Sequence, residues 1–306
     1  MAINNIPNNI IEPEHIKGKV RLPGLGIAVL FGSFFFMILI VGAVQLLTIG
    51  ESTDSTKALR LLSVLQDVLV FILPAILAAM VVTRLPATFL SIDKKIPLKP
   101  LILSIIVMFT AMPAMEWIVS LNEGIHFPDS MHRLEESLRA MENEAETAVT
   151  ALLGAPDTIN IVISILIIGL LTGISEELFF RGALQNLFFA TRMKKHLCVW
   201  ITAIIFSALH FQFFGFVPRI LLGVYFGYLL WWTGSLWVPI ILHALNNSLV
   251  VLTTQLGEES VGIEGIESGV ETTMFSDPLL ITLSFVVTIF GLYILHRTCK
   301  RAKLIR

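Results

Sequence analysis

Charged residues are scarce in this sequence: Asp, Glu, Lys and Arg make up 14% of its 306 residues, and the net charge is −2. A soluble domain carries about 25% charged residues, so this composition argues against a soluble protein. The small net charge also excludes a broad basic surface, and we expect no nucleic-acid partner. Apolar residues make up 55% of the chain, which indicates an integral membrane protein.

Cysteine is almost absent as well. Cys198 and Cys299 lie far apart in the sequence, so they form neither a disulfide framework nor a cysteine metal motif. A cleavable signal peptide is not expected either, because residues 1–22 are polar and contain two prolines. The apolar run that follows is too long for a signal peptide, and we interpret it as a retained transmembrane helix.

Long apolar runs fill most of the chain, and about 20 such residues cross a bilayer as a helix. The sequence therefore predicts an all-α, polytopic integral membrane protein with about eight transmembrane helices. The predicted spans are 24–48, 60–84, 98–120, 158–190, 197–213, 218–233, 236–255 and 278–296.

Basic clusters alternate with acidic loops between these spans. Lys and Arg precede the first span, occupy 84–99 and 192–195, and follow the last span, whereas the loops 121–157 and 256–277 are acidic. The positive-inside rule then places both termini in the cytoplasm, with the chain integral to the cell membrane. We divide the chain into a cytoplasmic segment 1–23, a part with three spans and an outer helix 24–155, a catalytic core 156–255, and a last part 256–306.

The acidic loop 121–157 contains one further predicted helix. Its apolar positions recur at steps of three and four residues, whereas glutamates occupy the other side. The apolar positions are Met131, Leu134, Leu138, Met141, Ala145 and Ala148, and the glutamates are Glu135, Glu136, Glu142, Glu144 and Glu146. This amphipathic helix is either a lid packed on the membrane domain or a docking surface for a partner or substrate.

Ionisable residues inside apolar spans are costly and mark a functional site by default. Glu177 and Arg181 in the fourth span are four residues apart, so they share a helix face and can pair. Glu176 points elsewhere and has no such partner in its own helix, which makes it the better candidate base. Asp67 lies towards the outer end of its span, close to water or headgroups, and we expect it to be structural.

Two histidines also lie inside apolar spans. His210 follows Phe206 by four residues, and His243 precedes Asn247 by four residues, so each pair shares a helix face. A single buried histidine is usually structural. Two of them on separate spans, beside a buried glutamate pair, favour a catalytic site.

These residues resemble the motifs of the CPBP intramembrane protease family, which comprises CAAX proteases and bacteriocin-processing enzymes and is also called the Abi family. That family carries Glu-Glu-x-x-x-Arg, Phe-x-x-x-His and His-x-x-x-Asn/Asp motifs on separate helices. All three occur here, in that order, within residues 158–252: Glu176-Glu177-Leu178-Phe179-Phe180-Arg181, Phe206-Ser207-Ala208-Leu209-His210 and His243-Ala244-Leu245-Asn246-Asn247.

The resemblance implies an intramembrane endopeptidase. Glu176 and His210 would activate a water, His243 and Asn247 would stabilise the oxyanion, and Glu177, Arg181 and Phe206 would support them. The name metalloprotease is often attached to the family, and Glu176, His210 and His243 would be the ligands if zinc were bound. A metal-free, glutamate-dependent mechanism uses the same side chains. The His-Glu-x-x-His zinc motif is absent, and we favour the metal-free mechanism.

The substrate implied by the resemblance is a membrane-embedded or lipidated peptide or protein, held in the bilayer. The sequence does not specify whether prenylated proteins are cleaved. Two other functions compete with this prediction: a catalytically inactive membrane scaffold, and a transporter that couples the buried carboxylates to proton movement.

Overall fold

The fold is that of a computed structural model, which describes residue 20 and residues 22–48, 55–260 and 277–305. The predicted cytoplasmic segment 1–23 therefore lies largely outside the described residues, as does most of the acidic loop 256–277. The described residues form helices and no strand. The all-α prediction is confirmed.

Thirteen α-helices are described along the chain, and three π-helical segments join some of them. The α-helices are α1 (Pro23–Thr48), α2 (Ser55–Leu65), α3 (Leu73–Val82), α4 (Pro86–Phe89), α5 (Leu98–Glu123), α6 (His132–Leu153), α7 (Thr158–Ser164), α8 (Thr172–Glu177), α9 (Asn186–Phe189), α10 (Lys195–Ala208), α11 (Phe216–Thr233), α12 (Trp237–Ser260) and α13 (Pro278–Arg301). The π-helical segments are π1 (Gln66–Ile72), π2 (Ile165–Leu171) and π3 (Leu178–Gln185).

Seven helical stretches of the described chain are long and apolar enough to cross a membrane. They are Pro23–Leu47, Thr56–Val82, Leu98–Glu123, Thr158–Phe189, Phe216–Thr233, Trp237–Leu256 and Pro278–Arg301. An eighth apolar helix, Lys195–Ala208, is shorter than these. The prediction of about eight helices in a membrane protein agrees with this architecture.

The eighth helix differs from its predicted bounds. The span 197–213 was expected to be continuous, but α10 ends at Ala208 and the chain turns immediately after it. Phe211 in this turn has φ of 55°, a left-handed conformation that cannot continue a helix. The apolar residues 211–214 that lengthened the prediction belong to the turn, and so does His210.

Helix α5 contains a proline, and a side chain from another helix forms hydrogen bonds with the backbone beside it. Pro113 lies inside α5, and Ser284 of α13 packs beside it. The Ser284 hydroxyl accepts from the backbone N–H of Ala114 at 3.1 Å and donates to the Thr110 carbonyl at 2.6 Å. A neighbouring helix thus satisfies backbone groups that water cannot reach in a bilayer.

Helix α6 forms as predicted, but its inward face is different. Glu135 is buried and Glu142 is partly buried, whereas Met131 and Leu134 are exposed. The reason is polar: Glu135 accepts a hydrogen bond from the backbone N–H of Phe127 at 2.7 Å, and Glu142 accepts one from that of Phe214 at 3.0 Å. Carboxylates turn inward here because loop amides need acceptors.

Candidate active site

Three predicted residues meet at one point between α8, the end of α10 and α12. The His210 Nε2 atom lies 3.9 Å from Oε1 of Glu176, and the His243 Nε2 atom lies 3.6 Å from Oε2 of the same carboxylate. Glu176 and His243 are buried, whereas the side chain of His210 is 28% exposed. Two helices and a turn that are distant in sequence thus bring two imidazoles to one carboxylate.

Each imidazole is oriented through its other nitrogen. The His210 Nδ1 atom lies 2.8 Å from the carbonyl of Phe206, and the His243 Nδ1 atom lies 2.8 Å from Oε1 of Glu177. A carbonyl or carboxylate oxygen only accepts, so Nδ1 carries the proton in both rings. In the neutral rings Nε2 is then the basic nitrogen, and it faces Glu176.

Glu177 and Arg181 form the predicted pair. An Arg181 guanidinium nitrogen lies 2.6 Å from Oε1 of Glu177, and both side chains are completely buried. Arg181 also donates to the Gly223 carbonyl of α11 at 3.0 Å. The hydrogen bond from His243 to Glu177 was not foreseen; it makes Glu177 the link between the buried arginine and the second histidine.

Aromatic rings surround these polar groups. The ring of Phe206 lies 4.9 Å from that of His210, and the Arg181 guanidinium carbon lies 4.5 Å from the centroid of Phe206. The ring of Phe226 lies 5.1 Å from that of His243. Phe206 was expected to support the site, and its ring contacts both the histidine and the arginine. A cation–π contact such as that with Arg181 is stronger when it is desolvated.

Asn247 lies one turn beyond His243 on α12 and makes a different contact. Its amide nitrogen donates to the Ile168 carbonyl of π2 at 3.2 Å, and its oxygen accepts from Asn246 at 3.3 Å. The described contacts join Asn247 to π2 and do not join it to Glu176. Its role at the oxyanion stays a prediction.

Glycines allow the helices of the site to approach one another. A Cβ atom on Gly173 would lie 3.0 Å from the backbone nitrogen of Ala244, beside His243. One on Gly227 would lie 2.8 Å from Gln185, whose amide donates to the Gly227 carbonyl at 2.9 Å. Close packing at Gly223 and Gly227 brings Arg181 and Gln185 to the backbone of α11.

Asp67 is a buried group whose place sequence reasoning missed. It was expected near water or headgroups, but it is only 4% exposed and lies in π1. Its carboxylate accepts from the hydroxyls of Ser175 at 2.7 Å and Thr172 at 3.0 Å, on the helix that carries Glu176. The rule that marks ionisable residues in spans as functional would have selected it.

Glu176, His210 and His243 are also the residues that would hold zinc. In the part of the chain that the structure describes, no group of three His, Cys, Asp or Glu side chains is arranged to hold a metal ion. Glu176, His210 and His243 nevertheless lie near one another, with Nε2–carboxylate distances of 3.9 and 3.6 Å. Whether the protein binds zinc stays a prediction.

Comparison with known proteins identifies the part of the chain that contains this site. The family model described as Type II CAAX prenyl endopeptidase Rce1-like matches residues 158–249. The chain is also 29% identical over 118 residues to the uncharacterized protein YpbD of Bacillus subtilis (strain 168). That match covers 37% of this chain and 57% of YpbD. No solved structure matches the chain.

The family match begins at the first residue of α7 and ends within α12, so it contains all three motifs. The resemblance seen in those motifs is thereby confirmed: residues 158–249 are similar to the Type II CAAX prenyl endopeptidase family.

Proposed function

We propose that this protein is an intramembrane endopeptidase that hydrolyses a peptide bond in a membrane-embedded or lipidated substrate. One observation carries the proposal: two histidines, one in the turn after α10 and one on α12, direct Nε2 at the Glu176 carboxylate, at 3.9 and 3.6 Å. The family match supports a peptidase of the CAAX type. The family match does not specify which bond is cleaved or which residues cleave it, and both are proposed here from the site.

In this mechanism Glu176 and His210 activate one water molecule. Their separation of 3.9 Å is too long for a direct hydrogen bond, but one water can bridge the two atoms. The water oxygen attacks the carbonyl carbon as its proton passes to this pair. That proton then moves to the amide nitrogen as the C–N bond breaks, which leaves a carboxylic acid and an amine.

His243 and Asn247 are proposed to stabilise the oxyanion that forms on the carbonyl oxygen. The contact of His243 with Glu177 fixes its ring in the site before the substrate arrives. His243 would donate to the oxyanion as the imidazolium, in which Nε2 carries a proton as well as Nδ1. Arg181 pairs with Glu177 and thereby stabilises the contact of Glu177 with His243. Donors that are fixed in advance in a low-dielectric site stabilise developing charge strongly.

The direct test compares protein termini. Membrane proteomes are prepared from cells that express the wild-type protein and from cells that express Glu176→Ala at the same level. New termini that appear only with the wild type would support proteolysis and identify the substrate. Matching profiles, under conditions in which the protein has a phenotype, would reject proteolysis in favour of a scaffold or a proton-coupled transporter.

The metal-free mechanism is tested on the same activity. Purified protein is dialysed against excess chelator, and its metal content and its cleavage rate are measured together. We expect full cleavage by metal-depleted protein. A loss of cleavage that added zinc restores would instead show that the reaction needs zinc, with Glu176, His210 and His243 as its candidate ligands.

A further inference from the structure

His210 lies in a turn, Leu209–Gly215, that contains a residue with an unfavourable backbone angle. The backbone N–H of His210 still bonds to the Ser207 carbonyl at 3.2 Å, but the next residue, Phe211, has φ of 55°. Non-glycine residues adopt such angles at a cost, and they keep them only when the surroundings fix them. The position of His210 therefore depends on what holds this turn.

Two neighbouring helices hold the turn through polar side chains. Asn122, near the end of α5, donates to the carbonyl of Phe213 at 3.2 Å and also to that of Phe214. Arg219, in the first turns of α11, donates to the side-chain oxygen of Gln212 at 2.7 Å. The backbone carbonyls and one side chain of the turn are thus anchored.

Helix α6 supplies a further anchor. The Glu142 carboxylate accepts from the backbone N–H of Phe214 at 3.0 Å. One turn away, the Arg139 guanidinium carbon lies 4.1 Å from the centroid of the Phe214 ring. Phe214 is itself buried. Its N–H, its carbonyl and its ring are therefore each held by a different side chain.

Helix α6 is fixed in turn at both of its ends. Near its start, Glu135 accepts from the backbone N–H of Phe127 at 2.7 Å. Near its end, Arg60 of α2 donates to the carbonyls of Leu152 at 3.0 Å and Leu153 at 2.5 Å. A helix held in this way can transmit its position to the turn.

We propose that Glu142 of α6 is a positioning residue for the peptidase reaction. It holds the Phe214 amide, and thereby the turn, so that His210 Nε2 stays opposite the Glu176 carboxylate. This inference rests on the proposed function. It makes α6 part of the active-site framework, in place of the lid and the docking surface between which the sequence left a choice.

The test compares three variants of the full-length protein in detergent. Glu142→Ala removes the acceptor, Glu142→Gln keeps an acceptor oxygen, and Glu144→Ala is the control on an exposed position of the same helix. The probe is an internally quenched peptide with a prenylated Cys-a-a-X terminus. A small displacement of a catalytic group can cost about 100-fold.

We expect kcat to fall between about 10-fold and 100-fold in Glu142→Ala, with KM changed less than about twofold. Glu142→Gln should restore kcat to within about threefold of the wild type, and Glu144→Ala should leave it unchanged. Wild-type kcat in Glu142→Ala, or an equal loss in Glu144→Ala, would overturn the inference.

Hydrogen exchange of the Phe214 amide gives a readout that needs no cleavage. Loss of the acceptor should speed its exchange in Glu142→Ala at least about tenfold, but not in Glu144→Ala. Wild-type exchange in Glu142→Ala would overturn the positioning role whatever the activity. If the wild-type protein produced no new termini in the comparison with Glu176→Ala, the proposed function would be rejected instead. The two failures are therefore distinguishable.

Discussion

Arg181 makes three of the buried contacts behind the site. It pairs with Glu177, bonds to the Gly223 carbonyl and packs on Phe206. The spacing of four residues predicted the pair with Glu177, because it depends on helix geometry alone. The bond from Glu177 to His243 could not be predicted in this way, because it depends on how α12 packs against α8.

Replacing Arg181 by Met leaves the buried Glu177 carboxylate without its cation. We expect Arg181→Met to lower the free energy of unfolding by about 3–5 kcal/mol, since a buried charge that loses its partner is strongly destabilised. Thermal unfolding in detergent measures the effect. Arg192→Met, at an exposed cation between α9 and α10, is the control; equal stability of the two variants would contradict the prediction.

Glu135 gives a pH-dependent contribution outside the membrane spans. The backbone N–H of Phe127, and then Arg139 and His126, lower the pKa of Glu135 from 4.5 to about 2. A lowered pKa means that the folded state binds its proton less readily than the unfolded state. The stabilisation is therefore complete above pH 4.5 and is lost as the pH falls towards about 2.

The measurement compares wild type with Glu135→Gln over this range. The difference in melting temperature between the two proteins should be constant from pH 7 to about 5 and should shrink below that. A difference that stays constant down to pH 2.5 would show that Glu135 does not act through its charge.

At the scale of whole helices, apolar runs predicted most of the elements. The span 158–190 is observed as the helical stretch Thr158–Phe189, because its length and composition are sufficient to specify it. Two features were not predictable. The end of α10 depends on anchors from α5, α6 and α11, and the inward face of α6 depends on loop amides elsewhere in the chain.

Helices α8 and α12 approach closely at Gly173. A methyl group there would lie 3.0 and 3.2 Å from backbone atoms of Ala244, which cannot move aside alone. We expect Gly173→Ala to cost about 1–3 kcal/mol of stability and to reduce cleavage, because it separates Glu176 from His243. Gly32→Ala is the control, since nothing lies within 4 Å of its added methyl group. Similar melting temperatures and cleavage rates for both variants would contradict this account.

For the whole molecule, the seven long apolar helices place the protein in a membrane, while its orientation stays a prediction. Basic residues at 84–99 and 192–195 predict that these connections face the cytoplasm and that α6 faces the opposite side. The distribution of Lys and Arg between the connections predicts the orientation in the membrane. It carries no information on how the helices pack, which is why it could not place Asp67.

Orientation is tested with single introduced cysteines. Cys198 and Cys299 are both buried, so they should give little background. We expect a membrane-impermeant thiol reagent added to intact cells to label Glu136→Cys on α6, and to label Lys194→Cys only after the cells are opened. The reverse pattern would invert the orientation, and labelling of both in intact cells would reject it.

The contacts of Arg181 with Gly223 and of Gln185 with Gly227 have the same four-residue spacing on π3 and on α11. Together they fix how the two helices are aligned along their axes. A slide of α11 by one turn, about 5.4 Å, would leave only one of the two side chains opposite a glycine. The other would face a residue whose own side chain hinders such a close approach. The two contacts therefore select a single register, and stepwise sliding of α11 is disfavoured. For the proposed peptidase we therefore expect the α11 side of the site to stay fixed when a substrate binds.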